Sequence, residues 1–479
     1  MLSELSNTIQ TSLSHITKKD CIRECGESVL HVLDNSPDAA VSLAHEKLHA
    51  WPYKDVPVCW RRLYEEASVW KAKAIVDEQT VHLRKTPALE LQQGQKRNRD
   101  GKPILKAELA VACDVGLGGL NDWLSAVVHT LDMALILTGG PARKALIFHI
   151  LETLGNLTKP DKVTSRIPAS FPKIPTVQSQ VDTFVRSERL DFVEFQAHLD
   201  FAATPLIIEG VLEPWSAIRN PERQWSNPRY LTERTLGGRR LVPVELGRSY
   251  TEEGWGQQIM TFAEYMDKYL LDAQPVQTGY LAQHDLLDQI PLLDADTVTP
   301  DYCFTTPPPA VGSHIVPQPP LDEPLRNAWL GPAGTISPLH TDPYHNILCQ
   351  VVGHKYVRLY APSETPKLYP RGMDESGVSM ENTSEVDISL ARKLFNPSAS
   401  VKAAGQNDSL SISVEEEGGD QEKSDANQRH TFERHFPLYK DAKFIEGVLG
   451  PGECLYIPVG WWHYIESLST SFSVSYWFN

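Results

Sequence analysis

Two histidines and one carboxylate are the residues of this chain best suited to hold a metal and do chemistry with it. His340-Thr341-Asp342 lies between Pro338 and Pro343, which oppose helix and favour extended or turned backbone. In extended chain, residues two apart project to the same side, so the imidazole and the carboxylate share a face. The triplet alone is weak evidence, because sixteen histidines among sixty-one acidic residues give about two His-x-acid triplets by chance. The other copy, His198-Leu199-Asp200, falls in a helical pattern where residues two apart diverge. A third ligand is offered far downstream by His463, at the end of Gly450-Pro451-Gly452-Glu453-Cys454-Leu455-Tyr456-Ile457-Pro458-Val459-Gly460-Trp461-Trp462-His463, where a Pro-Gly turn feeds an apolar strand. Two imidazoles and one carboxylate make the facial triad that suits non-haem iron(II), since three coordination positions stay open. Taken singly, His463 reads equally well as a histidine packed beside two tryptophans.

The elements that must position these groups change character along the chain. Residues 1–156 read as a helical domain: Trp60, Leu63, Tyr64, Ala67, Trp70 and Ala74 recur at three-and-four spacing, and 28–33, 42–48 and 142–154 look similar. Gly116-Leu117-Gly118-Gly119 lacks the spacing of a dinucleotide loop and reads as a turn. A Pro, Lys, Ser and Thr rich stretch places a linker over 157–186, and one further helix is expected over 187–201. Within 187–479 the pattern is β-rich, with short runs at 205–210, 240–246, 346–352, 356–360, 453–457 and 471–478 bounded by Gly and Pro, as in a double-sheet barrel. The proline-rich 305–320 stretch reads as a surface excursion. The polar, acidic 398–428 stretch, lacking apolar residues to bury, is expected to be disordered.

Bulk composition narrows the class. A 41% hydrophobic, 22% charged chain is globular in type, and 45 basic against 61 acidic residues, a formal charge of -16, argue against direct nucleic-acid binding and for a partner with basic residues. Seven scattered cysteines without a CxxC pair fit neither a disulfide framework nor a zinc knuckle, and imply a reducing compartment, nuclear or cytoplasmic. No apolar leader follows Met1, and 123–137 is interrupted by His129 and Asp132, so no membrane association is expected. The basic cluster Gln95-Lys96-Arg97-Asn98-Arg99 reads as an exposed loop or a nuclear signal, and Asn382-Thr383-Ser384 matches a glycosylation sequon without meaning in such a compartment.

Trp329-Leu330-Gly331-Pro332, Ser337 to Asp342, Lys355 and the Pro-Gly-Glu to Trp-His segment, in this order, resemble the JmjC domain; Gly279-Tyr280-Leu281-Ala282-Gln283-His284 and Asp288-Gln289-Ile290-Pro291 extend the resemblance, which covers about residues 200 to 479. It implies an α+β chain: an α-helical N-terminal domain followed by a cupin-like double-stranded β-helix, or jelly roll. It further implies Fe(II) held by His340, Asp342 and His463, with 2-oxoglutarate and O2 as cosubstrates. Lys355 occupies the family's position for the far carboxylate of 2-oxoglutarate, Tyr280, Ser337 and Asn346 its hydrogen-bonding positions, and Trp477 an aromatic wall. Each would otherwise be ordinary packing or capping.

By the same resemblance Glu245, Trp255 and Trp329 belong to the substrate pocket, where a carboxylate and tryptophan faces suit a guanidinium. The expected activity is a dioxygenase hydroxylating a protein side chain at an arginyl carbon. The alternatives are demethylation of N-methyl-lysine in histones by the same oxidant, hydrolytic clipping of histone tails, and a non-catalytic binding scaffold.

Overall fold

The computed structural model describes residues 1–92, 123–157, 167–173, 182–251, 254–272, 276–308, 317–373, 377, 379–395 and 418–479. The Gln95 to Arg99 cluster and Gly116 to Gly119 lie outside the described residues. Contacts divide the chain into two units, Met1–Thr164 with Thr235–Leu241, and Ser165–Arg234 with Val242–Asn479.

The first unit is helical: α1 Leu2–Leu13, α2 Glu27–Leu30, α3 Pro37–Leu48, α4 Val58–Gln92, α5 Trp123–Thr138 and α6 Lys144–Leu157. The stripe expected over 60–74 lies on α4, where Leu63, Ala67 and Val76 are fully buried in a core shared with Leu131 of α5 and Ile150 of α6. The buried charged groups inside it are paired. Glu65 accepts the backbone N–H groups of Ala142 and Arg143, and Glu66 binds Arg62 at 2.6 Å and Arg143 at 2.7 Å. The buried Arg240 guanidinium forks onto Asp132 at 2.7 to 2.9 Å. That pairing explains why an aspartate interrupts the apolar run of α5.

In the second unit the chain opens with β1 Arg186–Ser187, α7 Phe192–Phe201 and β2 Leu206–Ile208. The segment read as linker is thus already structured at its end: Thr183 pairs with Glu446 at 2.8 Å, Phe184 is buried, and Arg186 pairs with Ile207. The helix expected from 187 starts at 192, because Asp191 and Glu194 form a reciprocal capping box that fixes its first turn. The strands follow as β3 Leu241–Leu246, β4 Gly256–Thr261, β5 Gly279–His284, β6 Leu325–Gly331, β7 Ile336–His340, β8 His345–Val352, β9 Lys355–Tyr360, β10 Phe444–Leu449, β11 Cys454–Ile457, β12 Trp462–Ser467 and β13 Ser471–Phe478. They form a nine-stranded sheet, β1-β2-β11-β8-β13-β6-β5-β3-β4, and a four-stranded sheet, β10-β9-β12-β7. All six runs expected to be strands contain one.

Strand alternation sorts side chains between three apolar clusters. In β8, Ile347, Cys349 and Val351 join the large cluster on the outer side of the nine-stranded sheet, while Leu348 turns inward to meet Val357 and Leu359 of β9. In β9 the outward residues Tyr356 and Tyr360 join a third cluster with Trp462 and Tyr464 of β12. Inward positions by the same count are Glu245, Tyr280, Trp329, Asn346, Lys355, His463 and Trp477.

The acidic stretch is not disordered throughout. Residues 396–417 lie outside the described residues, but Gly418–His435 is an α-helix. Its anchor lies past the polar window: Phe432 is buried against Phe395 and Tyr439, and Phe436 packs on Tyr369.

Gly353 sets the turn from β8 to β9, with φ at +71° and no room for a Cβ against the Thr470 carbonyl oxygen. His354 N–H is tied to Ser469 at 3.0 Å in the same turn. Gly353→Ala is expected to destabilise the barrel by about 3 kcal/mol through backbone strain and collision. Chemical denaturation followed by tryptophan fluorescence measures it; an unchanged midpoint would refute the constraint.

Candidate metal and dicarboxylate site

His340 ends β7, Asp342 follows in the turn, and His463 is the second residue of β12, paired directly opposite His340. The three offer ligand atoms within 4.8 Å of one another. His340 Nε2 lies 3.7 Å from one Asp342 carboxylate oxygen and His463 Nε2 lies 3.4 Å from the other, with the two rings 4.1 Å apart. Each ring is oriented from behind: Nδ1–H of His340 donates to the Pro338 carbonyl at 2.7 Å, and Nδ1–H of His463 to the Trp461 carbonyl at 3.0 Å. This choice of tautomer leaves both Nε2 lone pairs facing inward, the state a metal ligand requires. Burial, with the adjacent His463 ring, pushes His340 down to about 4, so it is a neutral donor at ordinary pH. Burial would lower His463 and raise Asp342, but the hydrogen bond and the charge attraction between a protonated His463 ring and Asp342 together outweigh it, raising the one and lowering the other; a metal ion held by Nε2 would take the place of that proton. A donor set of two imidazoles and one carboxylate fits a divalent transition metal.

The decoy is resolved by the same geometry. His198 and Asp200 lie on α7, where His198 Nε2 bonds the Thr204 carbonyl at 2.8 Å and Asp200 takes the Gln196 amide.

A second feature occupies the inward face. Lys355 opens β9 at 2% exposure, and its ammonium donates to the Tyr280 hydroxyl at 3.0 Å. Burial pushes the Tyr280 phenol up, against the Ser337 side chain beside it, which favours the phenolate. Among the described residues Lys355 has no carboxylate partner, and burial alone pushes it down to about 7. Asn346 and Trp477 face each other across the β8 and β13 ladder, and Asn346 Oδ1 and Trp477 Nε1 are both buried without a hydrogen-bond partner. Such atoms cost about 1 to 3 kcal/mol each when left unpaired, so the chamber is built for a polar occupant. A small dicarboxylate meets those needs.

On the other flank Glu245 of β3 sits opposite Tyr280 of β5, and Trp255 Nε1 donates to the Glu245 carboxylate at 3.3 Å. Burial raises Glu245 although Trp255 and Gln257 oppose it. Trp255 is 37% exposed, as a site rim requires. Trp329 is turned to Tyr280, ring to ring at 6.1 Å, with its Nε1 on Ser475 at 2.9 Å, and not to the Glu245 and Trp255 pair.

The sequence departs from the compact family pattern in a long insertion between Tyr369 and Phe436, expected to bear on access to the active site, but it did not show the wall that the insertion forms opposite. Residues 369–373 and 379–385 pair as the two arms of a hairpin, bridged at Pro370 with Ser384 and Met373 with Ser379. Thr383 bridges to His340, Thr341 N–H donates to the Asn382 carbonyl at 2.8 Å, and Ser384 N–H to that of Leu339 at 2.9 Å. Tyr250, half-buried, meets the Thr383 hydroxyl at 3.4 Å and feels Asp342, Arg371 and Glu245. Within it Asn382-Thr383-Ser384 matched only a sequon, which pointed elsewhere.

The profile of the cupin-like domain matches residues 193–479, more than half of the chain. The chain belongs to this family. It is similar to lysine-specific demethylase 8 of Xenopus tropicalis, 39% identical over 285 residues covering 60% of this chain and 50% of that protein. Jumonji C domain-containing protein 5 of Drosophila melanogaster is 28% identical over 465 residues, 95% of this chain and 89% of that one. Lysine-specific demethylase JMJ30 of Arabidopsis thaliana is 29% identical over 490 residues, 98% and 92%. The matches to the Xenopus and Danio relatives span about half of the length of those proteins. These relatives agree with the JmjC resemblance, and the cupin-like match places the barrel in the second unit. Among the described residues no helix is long and apolar enough to cross a membrane.

Lys355 gives the cupin-like domain a measurable pH signature. Between about 7 and the ordinary lysine value of 10.5 the unfolded chain holds a proton that the folded chain lacks, so this group makes stability rise with pH across that window. A bound dicarboxylate keeps the ammonium charged, so binding above about pH 7 is expected to take up one proton and to weaken as pH rises. Calorimetry with succinate in buffers of different ionisation heat reads this. Lys355→Met is expected to leave the fold at least as stable while weakening succinate at least about 100-fold, the scale of a lost buried ion pair. Equal affinity in the variant would remove Lys355 from the site.

Proposed function

We propose that this chain is an iron(II)- and 2-oxoglutarate-dependent oxygenase that hydroxylates a protein side chain at an arginyl carbon. The observation that carries the reading is the buried Lys355 ammonium, without a carboxylate partner, sharing the barrel interior with His340, Asp342 and His463. Iron(II) and 2-oxoglutarate, when bound, supply oxidation by O2: 2-oxoglutarate loses carbon dioxide to give succinate, taking one oxygen atom, and the other enters a carbon-hydrogen bond of the substrate.

The chain's own part is positioning and exclusion of water. His340 and His463 present neutral Nε2 donors and Asp342 the anionic one. Lys355, Tyr280 and Ser337 hold the far carboxylate in an interior walled by Leu348, Val357 and Leu359, where a charge-assisted bond is strengthened by the low local polarity. Asn346 Oδ1 and Trp477 Nε1 offer one acceptor and one donor to the same occupant or to an ordered water. Glu245, its charge disfavoured by burial, gains from a cation, and with Trp255 beside it forms a clamp suited to a planar guanidinium.

A second reading, demethylation of N-methyl-lysine, is favoured by the printed names of the Xenopus and Arabidopsis relatives. It uses the same oxidant, with the unstable hydroxymethyl product losing formaldehyde. The test is succinate formation by iron-loaded protein with arginine-containing and methyl-lysine-containing peptides, beside a folded His340→Ala control. Product gaining one oxygen supports hydroxylation, and product losing a methylene supports demethylation. Absence of succinate above the control across both peptide sets would leave the barrel a binding scaffold. Glu245→Gln is expected to raise KM for an arginine peptide about tenfold, ~1.4 kcal/mol, with 2-oxoglutarate affinity unchanged.

A further inference from the structure

The hairpin between Tyr369 and Glu385 meets the site at its metal-binding edge. Its Asn382 to Ser384 segment is stitched to β7 by the Thr341 N–H to Asn382 carbonyl bond, by the Ser384 N–H to Leu339 carbonyl bond, and by the bridge from His340 to Thr383. Through that segment it closes the edge of the four-stranded sheet, which would otherwise present β7 unpaired. The same hairpin encloses an open concavity of about 420 Å3 lined by Arg371, Gly372, Met373, Met380 and Glu385.

Arg371 is the unusual member. It is half-buried, its Nε–H donates to the Ser384 carbonyl at 3.2 Å, and its N–H donates nothing to a carboxylate, since that backbone group is bound to the Thr383 carbonyl at 2.8 Å. Among the described residues its guanidinium makes no ion pair. Glu385 lines the same concavity but is exposed and is not paired with it. A partly desolvated guanidinium held by one nitrogen keeps its remaining N–H groups for a ligand, and it gains more from a carboxylate than an exposed glutamate gains from a cation. Tyr250 fixes its place relative to the site: this one phenol feels Asp342, Arg371 and Glu245 together while touching Thr383. Tyr250 is therefore within electrostatic reach of one cation and one carboxylate beyond Asp342, namely Arg371 and Glu245.

We propose that the hairpin is the specificity wall of the site, and that Arg371 binds the carboxylate of an Asp or Glu lying near the basic residue that is oxidised. The inference rests on the oxygenase reading for what happens to the basic residue, and on the hairpin geometry alone for the acidic one. A peptide crossing Tyr250 sets its basic side chain toward Glu245 and its acidic side chain toward Arg371. An extended chain advances about 3.3 to 3.6 Å per residue, so an acid up to three positions from the target lies about 10 Å or less along the peptide, and that range is the one to scan. Met373 and Met380, flexible and polarizable, accommodate the apolar parts of varied neighbours. The acidic net charge of the chain attracts basic segments generally, and Arg371 selects among them.

The test is a panel of fluorescent peptides, each with one arginine in a Gly, Ala and Ser background and one Glu or Gln moved through the three positions on either side. Binding to the manganese(II)- and 2-oxoglutarate-loaded full chain is read by anisotropy, and oxidation by the iron(II)-loaded chain is read by mass. A preference of about tenfold for Glu over Gln at one position is expected, falling to near one in Arg371→Gln. It is expected to reverse in Arg371→Glu toward a peptide carrying Lys there. Unchanged 2-oxoglutarate affinity in both variants shows that the barrel is folded. Oxidation of the panel with no Glu preference, or a preference that survives in R371Q, overturns the inference and leaves the oxygenase reading standing. Selective binding of Glu peptides without oxidation supports the inference and counts against that reading. If no peptide binds, both fall.

Discussion

Lys355 is 2% exposed, with a phenol hydroxyl and no carboxylate for company, and an isolated ammonium in that position costs several kcal/mol of desolvation. The barrel carries this cost together with two orphaned polar atoms, Asn346 Oδ1 and Trp477 Nε1, on neighbouring strands. A chain selected only for stability would replace all three with apolar residues, since well-packed hydrophobic groups at buried charged positions are commonly neutral or stabilising. On the proposed reading the expense is preorganisation, since the ammonium and the two orphaned atoms are already held in the interior before a dicarboxylate arrives.

What lets the barrel hold a polar interior is the period of two along each strand. Every strand that carries a candidate residue anchors itself through its outward neighbours: Ile347 and Cys349 around Leu348 and Asn346, Tyr356 and Tyr360 around Lys355 and Val357, Val474 and Tyr476 around Ser475 and Trp477. Register is thereby fixed by apolar burial on the outer faces, and the inner face is free to carry chemistry. A slip of one residue in β9 would trade Lys355 for Tyr356 inside, and the outer cluster formed with Trp462 and Tyr464 forbids it. The candidate ligands His340 and His463 depend on the same device, being direct partners across β7 and β12.

The helical unit solves its polar problem in the opposite way. Glu65, Glu66, Arg62, Asp132 and Arg240 are buried but bonded to one another, to the half-buried Arg143 or to backbone N–H groups. Paired charges of this kind specify which helices meet without calling for an occupant. The contrast is informative within one chain: paired buried charges mark architecture, and the unpaired one marks a site.

Much of the site was legible in the sequence because its groups announce themselves by type and local spacing. His340-Thr341-Asp342 between prolines put two candidate ligands on one face, and the ordered motifs around Lys355 and His463 carried the family and the fold. The helical first unit was equally legible from the stripe on α4, since helix periodicity is a local property. The sequence could not show that Lys355 lacks an acid, that Trp329 turns to Tyr280 rather than to Glu245, or that a helix at Gly418–His435 is held by Phe432 beyond its polar start. Least visible was the hairpin that places Thr383 and Arg371 beside Tyr250: residues more than a hundred positions apart meet there by β-bridging to His340, and no local pattern encodes a contact at that separation. Sequence alone determined which chemistry the chain is equipped for, because ligand type and strand alternation are written residue by residue. Tertiary structure decided which charges are compensated, because burial and pairing depend on what the rest of the chain brings near.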